Sequence, residues 1–239
     1  MPRNKCRTCA IRNIALCQAL PPEALAELNQ IARRRRIPAG QQLLDPDQRP
    51  QLVANIVSGV ARLSRSLPDG RTQIVGLQFA PEFLGRPYVV AGAVLVEAAT
   101  DMELCCFTRT QFESLLQRHP KLQQILVEHM VRKLDQAREW MLLLGRKTAE
   151  ERVASLVLLC AERMCEGGCA FKTGPEANHF EMPLSRTEMA DCLGLTLETV
   201  GRMIQRLVRA GVIQIRARRG VGIVDMAQLR LAAGHGEAR

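Results

Sequence analysis

The sequence predicts an α+β protein with three parts: an N-terminal antiparallel β-roll, one long helix and a C-terminal winged helix-turn-helix. Short apolar runs separated by turn residues occupy residues 37–110. From Lys121 to about Leu144 the chain has no Gly or Pro, and its apolar residues recur every three or four positions. The segment 185–213 then combines two helical patterns with a turn that contains glycine.

The first residues of the chain are rich in cysteine. Cys6, Cys9 and Cys17 follow the spacing C-x2-C-x7-C, and the 239 residues contain nine cysteines in all. The N-terminus has no apolar signal-peptide core, and no apolar run reaches the ~18 residues that cross a bilayer. We therefore expect a cytoplasmic protein with no membrane partner. Its thiols stay reduced there and act as core residues, metal ligands or redox groups.

Residues 21–110 pass from a short helix to a series of strands. PPEALAELNQIA (21–32) predicts the helix, with proline at its start and leucines at helical spacing. The RRRR run at 33–36 is interpreted as a solvated surface run rather than a nucleic-acid site. PDG at 68–70 predicts a turn between two strands of an antiparallel barrel or roll. The predicted strands are LVANIV (52–57), ARLSRSL (61–67), QIVGLQF (73–79) and MELCCF (102–107).

The long helix carries one apolar seam. Its pattern predicts about 24 residues of amphipathic helix, followed by a second helix at 147–164. One small roll cannot cover so long a seam, which favours a two-stranded coiled coil between identical chains over packing within one chain. The residues expected at this dimer interface are Val127, Met130, Leu134, Ala137 and Met141.

The segment SRTEMADCLGLTLETVGRMIQRLVRAGVI (185–213) carries the signals of a helix-turn-helix. Ser185 and Glu188 form a capping-box pattern that begins a helix, and Gly194 suits the left-handed position that ends it. Thr196 then caps a second helix. VIQI and VGIV, on either side of the basic turn RARRG, are interpreted as a two-stranded wing.

Charge favours DNA as the partner of this segment. The chain carries a formal net charge of +9, and residues 183–220 contain seven Arg against three acidic residues. Arg contacts phosphate and pairs with guanine, and Glu accepts from cytosine. No Ser-His-Asp set, paired carboxylates or phosphate-binding glycine loop supports an enzyme. The predicted DNA-binding residues are Glu198, Thr199, Arg202, Arg186 and Arg206.

From the residues alone, the thiols leave several chemistries open. A CxxC pair with a third cysteine and a fourth from the roll suits zinc as well as an iron–sulfur cluster. Cys105 and Cys106 are neighbours in a strand, so they face opposite sides of the sheet. Cys165 and Cys169, separated by EGG, are alternative ligands in a loop.

With these parts in order, the chain resembles the Crp/Fnr superfamily of bacterial transcription regulators, and in particular its Fnr-type iron–sulfur oxygen sensors. The resemblance covers almost the whole chain. It is strongest in CRTCAIRNIALC, in REWMLLLGRKTAEERVASL (138–156) and in LTLETVGR (195–202). It implies a roll like the cyclic-nucleotide-binding jelly roll. It also implies a homodimer that reads a palindromic, TTGAT-like promoter site in double-stranded DNA and contacts RNA polymerase.

The resemblance also implies a use for the thiols. The oxygen sensors bind a [4Fe–4S] cluster through three N-terminal cysteines and one from the roll, which correspond here to Cys6, Cys9, Cys17 and Cys105. Cys106 is then a buried structural thiol. In such a protein the cluster favours the DNA-binding dimer until oxygen attacks it. The alternative is a thiol-redox or zinc-containing regulator of the same superfamily without a cluster.

Three features depart from related patterns. The phosphate-binding pair of the cyclic-nucleotide branch is not recognisable in 81–100. Ala137 provides no acidic residue to repel a partner helix. Gly201 stands where Fnr-type recognition helices often carry a serine that helps to read the outer half-site. The expected domains are a Cys-bearing segment (1–30), the β-roll (31–119), the dimerisation helix (120–145) and the DNA-binding domain (146–239).

Overall fold

The computed structural model describes residues 6, 9–45, 51–88, 94–166, 179–216 and 219–235. Their contacts divide the chain into two compact units. The first comprises residues 1–65 and 77–136, and the second comprises 66–76 and 137–239. The four predicted domains remain a prediction. Within the described part of the chain, no helix is both long enough and apolar enough to cross a membrane.

The antiparallel roll predicted for the N-terminal half is confirmed. Two four-stranded sheets have the orders β1-β8-β3-β6 and β2-β7-β4-β5. The PDG turn joins β4 to β5, as predicted. The eight strands are β1 (Arg33–Ile37), β2 (Gln42–Leu44), β3 (Leu52–Ser58), β4 (Val60–Ser66), β5 (Thr72–Phe79), β6 (Phe83–Leu84), β7 (Leu95–Ala98) and β8 (Met102–Thr108).

Helices flank the roll along the chain. Helix α1 (Pro22–Ile31) matches its prediction and begins with Pro22, whose fixed φ suits the first turn. Helix α2 (Arg109–Arg118) follows β8 directly. The long helix α3 (Pro120–Arg146) runs through Gly145 and so extends slightly beyond the predicted end. One glycine costs a helix only about 1 kcal/mol, which the surrounding turns can absorb.

The arginine run forms a strand rather than only a surface segment. Residues 33–37 make up β1, which lies at the edge of its sheet and, among the described strands, pairs only with β8. Arg33, Arg35 and Arg36 are exposed, as expected for a solvated run, whereas Arg34 is partly buried. Charged side chains on an edge strand discourage pairing with a further strand.

The C-terminal helix-turn-helix is confirmed, and the predicted wing is larger than expected. Helix α4 (Ala149–Glu166) precedes α5 (Arg186–Leu193) and α6 (Leu197–Arg209), and α7 (Met226–Ala232) is the last described helix. The wing was predicted with two strands, corresponding to β10 (Ile213–Arg216) and β11 (Gly220–Ile223). A third, β9 (His179–Glu181), pairs with the other edge of β11 and buries Phe180. Its three residues are too few to show a strand pattern.

Candidate cysteine centre and nucleic-acid interface

The described part of the Cys-bearing segment packs against the roll. Backbone hydrogen bonds form turns through residues 9–15, and a 3-10 helix covers Leu16–Ala19. The backbone N–H of Cys6 donates to Asn29 Oδ1 of α1 at 3.3 Å. Ile11 and Leu16 are buried in one apolar cluster with α1, α2, Phe107 and the first turns of α3. The burial of these apolar side chains therefore anchors the segment.

Four cysteines line one cavity in this cluster. Cys6, Cys9 and Cys17 contribute from the N-terminal segment, and Cys105 contributes from β8. The cavity is small, about 20 Å³, which is room for little more than one water. Its remaining lining is mainly apolar, apart from Arg12, Arg34 and Asn55. These are the four cysteines named from the sequence.

Strand alternation separates the two adjacent roll cysteines. Cys105 belongs to the apolar cluster that contains the N-terminal segment. Cys106 belongs to a different cluster on the other face of the sheet, with Ile56 and Leu104. The two thiols therefore have different neighbours although they adjoin in the chain.

The four sulfurs share a cavity without forming a ready ligand set. Among the residues that the structure describes, no three His, Cys, Asp or Glu side chains are grouped closely enough to hold a metal ion. Cys160 and Cys192 are fully buried in the C-terminal unit, consistent with core residues. Cys169 and the side chain of Cys165, considered as alternative ligands, lie outside the described residues.

Two hydrogen-bond donors that the sequence reasoning missed point at the thiols. Arg34 Nη2 donates to Cys9 Sγ at 2.9 Å, and Arg34 Nη1 pairs with Glu103 Oε1 at 3.3 Å. Asn55 Nδ2 lies 4.0 Å from Cys17 Sγ. The alternation of residues 33–36 along a strand would have turned every second arginine inward, but only the pairing register shows which one meets a cysteine.

Burial and charge act in opposite directions on these thiols. Burial raises the pKa of Cys17 to about 11 and that of Cys105 to about 12. The pKa of Cys6 is also raised, first by burial and then by the neighbouring Cys9. The Arg34 guanidinium lowers the pKa of all three thiols, because a nearby positive charge favours the thiolate.

The helix-turn-helix is built from the predicted caps. Ser185 Oγ accepts from the Glu188 N–H and the Glu188 carboxylate accepts from the Ser185 N–H, which completes the capping box. Gly194 ends α5 in the left-handed conformation, with φ 62°. Thr196 Oγ1 accepts from the Thr199 N–H at the start of α6. Because local hydrogen bonds define these ends, sequence signals alone located them.

Helix α6 has a buried face and a polar face. Val200, Ile204 and Leu207 are buried within the C-terminal unit. Glu198 and Arg202 are exposed on the other side, and Arg202 Nη2 lies 3.4 Å from Thr199 Oγ1. The Thr199 hydroxyl also contacts Thr196, so Thr199 supports the helix start as well as this surface.

The two other predicted DNA-binding arginines have different surroundings. Arg206 is two-thirds exposed, and its Nε pairs with Glu150 Oε2 of α4 at 3.2 Å. Arg186 lies at the start of α5, half-buried beside Met189, and burial lowers the pKa of its guanidinium. Only Arg206 is therefore presented openly to solvent.

The predicted seam of α3 is exposed over its central turns. Leu122, at the helix start, is buried in the cluster that holds the cysteines. Val127, Leu134 and Met141 are 61 %, 51 % and 73 % exposed, and Met130 and Ala137 are exposed as well. An apolar row of this length in water marks an interaction surface.

Comparisons with known proteins match both halves of the chain. Residues 34–119 match the cyclic nucleotide-binding domain, and residues 151–232 match the Crp-like helix-turn-helix domain. A "Probable transcriptional activator" of Rhizobium leguminosarum bv. viciae is 45% identical over 94% of this chain and 91% of that protein. The transcriptional activator protein FnrL of Cereibacter sphaeroides is 44% identical over 97% of this chain and 92% of its own length.

A solved structure has the same fold. FixK2 from Bradyrhizobium japonicum is 26% identical and superposes with a TM-score of 0.76. The match covers 87% of this chain and all of that one. The order of roll, helices and helix-turn-helix is therefore shared across the described parts of this chain.

Proposed function

This chain belongs to the Crp/Fnr family of transcription regulators, and from that premise we propose that it is an oxygen-responsive member controlled by a [4Fe–4S] cluster. Family membership makes it a DNA-binding, dimer-forming regulator rather than an enzyme. The proposal adds the cluster, its four ligands, the signal and the DNA site. The observation that carries it is the meeting of four cysteines from two distant parts of the chain at one cavity.

The residues at the cavity fit a cluster chemically. Four thiolates are the usual ligand set of a cubane, and Cys6, Cys9, Cys17 and Cys105 would hold it. No acidic residue lines the cavity among those described, and Arg34 offsets the negative charge of thiolates. Among the described residues the thiols are not grouped closely enough to hold a metal ion, so cluster binding requires the four sulfurs to draw together. When bound, the cluster supplies an inorganic centre that dioxygen degrades.

The segment that carries the three cysteines also packs on α3. Ile11 and Leu16 share an apolar cluster with Leu122, and the partly buried Ile125 and Leu126 of α3 pack against it. A segment whose three cysteines are joined to Cys105 through a cluster presents this apolar surface to α3 more persistently than one held by packing alone. A coupling of about 1–3 kcal/mol between such sites changes an affinity by a factor of about 5–150.

The exposed apolar seam of α3 is the surface through which cluster binding would affect dimerisation. We assign Val127, Met130, Leu134, Ala137 and Met141 to the interface with the second chain, where they would be covered by their symmetry mates. The dimer then presents two α6 helices about one DNA turn apart. Ala137 carries no charge, so the interface has no built-in repulsion at that position.

The polar face of α6 is assigned to the major groove. Glu198 and Arg202 are exposed near its N-terminus, where they suit the cytosine and guanine of one G·C pair. We assign Thr199, Arg186 and Arg206 to the phosphate backbone. The site is a palindrome of TTGAT-like halves, whose outer bases Gly201 does not contact through a side chain. The 67–72 turn and the surface at 81–87 are assigned to RNA polymerase by analogy with the family.

The deciding experiment compares protein purified without oxygen before and after exposure to air. The proposal expects about four iron and four sulfide per chain, a visible absorption band that air bleaches, and dimers and DNA binding that weaken with it. A colourless protein that contains zinc, or no metal, would instead support the alternative regulator controlled by zinc or thiol oxidation. The free thiols of all four cysteines are the observation that keeps this alternative open.

A further inference from the structure

Three residues form a row across the sheet beneath the cysteine cavity. Arg34 of β1 lies directly opposite Cys105 of β8, and Asn55 of β3 lies opposite the same residue on its other side. Directly opposed residues on antiparallel strands place their side chains on one face. All three side chains line the cavity.

The outer residues of the row each reach a different N-terminal cysteine. Arg34 donates to Cys9 at 2.9 Å, and the Asn55 amide lies at 4.0 Å from Cys17. The row therefore joins one cysteine of the roll with two of the three N-terminal cysteines. Glu103, two residues before Cys105 on β8, pairs with Arg34 Nη1, while Nη2 donates to Cys9.

Asn55 is an unusual residue for its position. It is only 2 % exposed, on a strand whose neighbours Val53, Ala54 and Ile56 are apolar core residues. Its Oδ1 is buried and has no hydrogen-bond partner among the described residues. A buried amide oxygen without a hydrogen-bond partner destabilises the fold, so packing alone does not account for an asparagine at this site.

We propose that Arg34 and Asn55 are positioning residues that donate hydrogen bonds to the cysteine sulfurs of the bound cluster and slow its loss in air. The inference rests on the proposed function. Hydrogen bonds to sulfur and nearby positive charge are among the features that set the reduction potential of a cluster. Loss of a bound cluster in air would begin with the transfer of one electron from the cluster to dioxygen, which would become superoxide. A guanidinium beside the ligands would oppose that electron transfer, because its positive charge stabilises the reduced cluster, which is the more negative of the two states.

The test uses the full chain purified without oxygen, in four forms: wild type, Arg34→Gln, Asn55→Leu and Arg35→Gln. Arg35 is the matched control, because it is exposed on the same strand, carries the same charge and points to the opposite face. The readouts are iron per chain, the midpoint potential and the rate at which visible absorption is lost at a fixed oxygen concentration.

We expect Arg34→Gln to lose its visible absorption about tenfold faster than wild type. Substitution of groups that support metal ligands typically lowers metal affinity or activity by about 10–100-fold. Asn55→Leu should accelerate the loss less, because its contact is longer. Arg35→Gln should match wild type. The midpoint potential of Arg34→Gln should be lower than that of wild type. A tenfold change in a one-electron equilibrium constant corresponds to a shift of about 59 mV.

The outcomes separate this inference from the function on which it rests. Equal decay rates and potentials for Arg34→Gln and Arg35→Gln would overturn the inference and leave the cluster in place. A wild-type protein without iron would overturn both. If Arg34→Gln does not fold, Arg34→Lys tests the same point, because it keeps the charge and loses the planar fork. A decay rate for Arg34→Lys equal to wild type would overturn the requirement for the guanidinium fork, because the lysine ammonium supplies the same charge and a single donor centre.

Discussion

Arg34 and Cys105 face each other across neighbouring antiparallel strands, and the same arginine hydrogen-bonds to Cys9 from the beginning of the chain. A single side chain thus links a roll cysteine to an N-terminal cysteine about a hundred residues away in sequence. This relationship connects the two parts of the proposed cluster site.

The two adjacent roll cysteines should respond differently to substitution. We expect Cys105→Ser to lose most of its iron, because a serine hydroxyl replaces one of four thiolate ligands. Cys106→Ser is the matched control: it lies on the other face and should keep the iron, at a cost of about 1–3 kcal/mol for a buried hydroxyl. Iron analysis and chemical denaturation measure the two effects. Loss of iron in Cys106→Ser alone would show that the ligand is misassigned.

A charge on the α3 seam should weaken the dimer. In Ala137→Glu, two carboxylates would approach each other across the interface, so we expect the dimer dissociation constant to rise at least about tenfold, a cost of ~1.4 kcal/mol. Sedimentation over a range of protein concentrations measures it. Arg132→Glu is the control, since it lies about 140° round the helix from Ala137 and is exposed. A dimer that weakens equally in both variants would place the interface elsewhere.

Gly201 can accept a side chain without a clash. Among the described residues, apart from the adjacent residues and the backbone of the same helix, no atom lies within 4 Å of a Cβ built at this position. Glycine within a helix costs about 0.5–1 kcal/mol relative to alanine, so Gly201→Ala and Gly201→Ser should both raise the melting temperature.

The two Gly201 variants should differ in the DNA bases that they prefer. Only the serine adds a hydroxyl to the polar face of α6, so selection of binding sites should show a stronger outer-base preference for Gly201→Ser. Gly201→Ala controls for helix stability. If both variants select the same sites as wild type, position 201 does not contact bases.

Arg152 should stabilise the turn of the helix-turn-helix. Its Nη1 donates to the carbonyl of Leu193 at 3.0 Å, at the end of α5, and its Nε donates to the carbonyl of Lys147 at 2.9 Å. Arg152→Met keeps most of the side-chain volume but leaves these carbonyls without their donor, which costs about 1–3 kcal/mol. Arg146→Met, exposed at the end of α3, is the comparison. If chemical denaturation shows the same loss of unfolding free energy in both variants, Arg152 does not stabilise the turn through these hydrogen bonds.

Stability should fall in mild acid because of His129. Burial lowers the pKa of His129 from its usual 6.5 to about 4, assisted by Lys133 and Arg132 and opposed by Glu82 and the Phe83 backbone. The folded protein therefore binds this proton less readily than the unfolded chain. The native state loses stability as the pH falls from about 6.5 to about 4, and the loss reaches about 3 kcal/mol at pH 4.

The His129→Gln variant isolates this contribution. The difference in unfolding free energy between wild type and variant should change by that amount between pH 7 and pH 4. It should be constant above pH 7, where the histidine is neutral in both states. A constant difference across the whole range would show that His129 titrates normally in the folded protein.

Local signals in the sequence were sufficient for the elements that are defined locally. The capping box at Ser185, the left-handed Gly194 and the Thr196 cap are hydrogen-bonded within a few residues, so they identified the helix-turn-helix. The apolar spacing of α3 likewise predicted both a helix and an exposed seam. The third wing strand was missed because its partner, β11, is about forty residues away in the chain.

The sequence by itself determined the fold class, the polar face of α6 and the set of cysteines worth considering, because periodicity and caps depend on neighbours along the chain. Only the tertiary structure decided that Cys105 and not Cys106 shares a cavity with the N-terminal thiols, and that Arg34 and Asn55 accompany it. Those relationships depend on the register between β1, β8 and β3, which is set by packing between residues far apart in sequence.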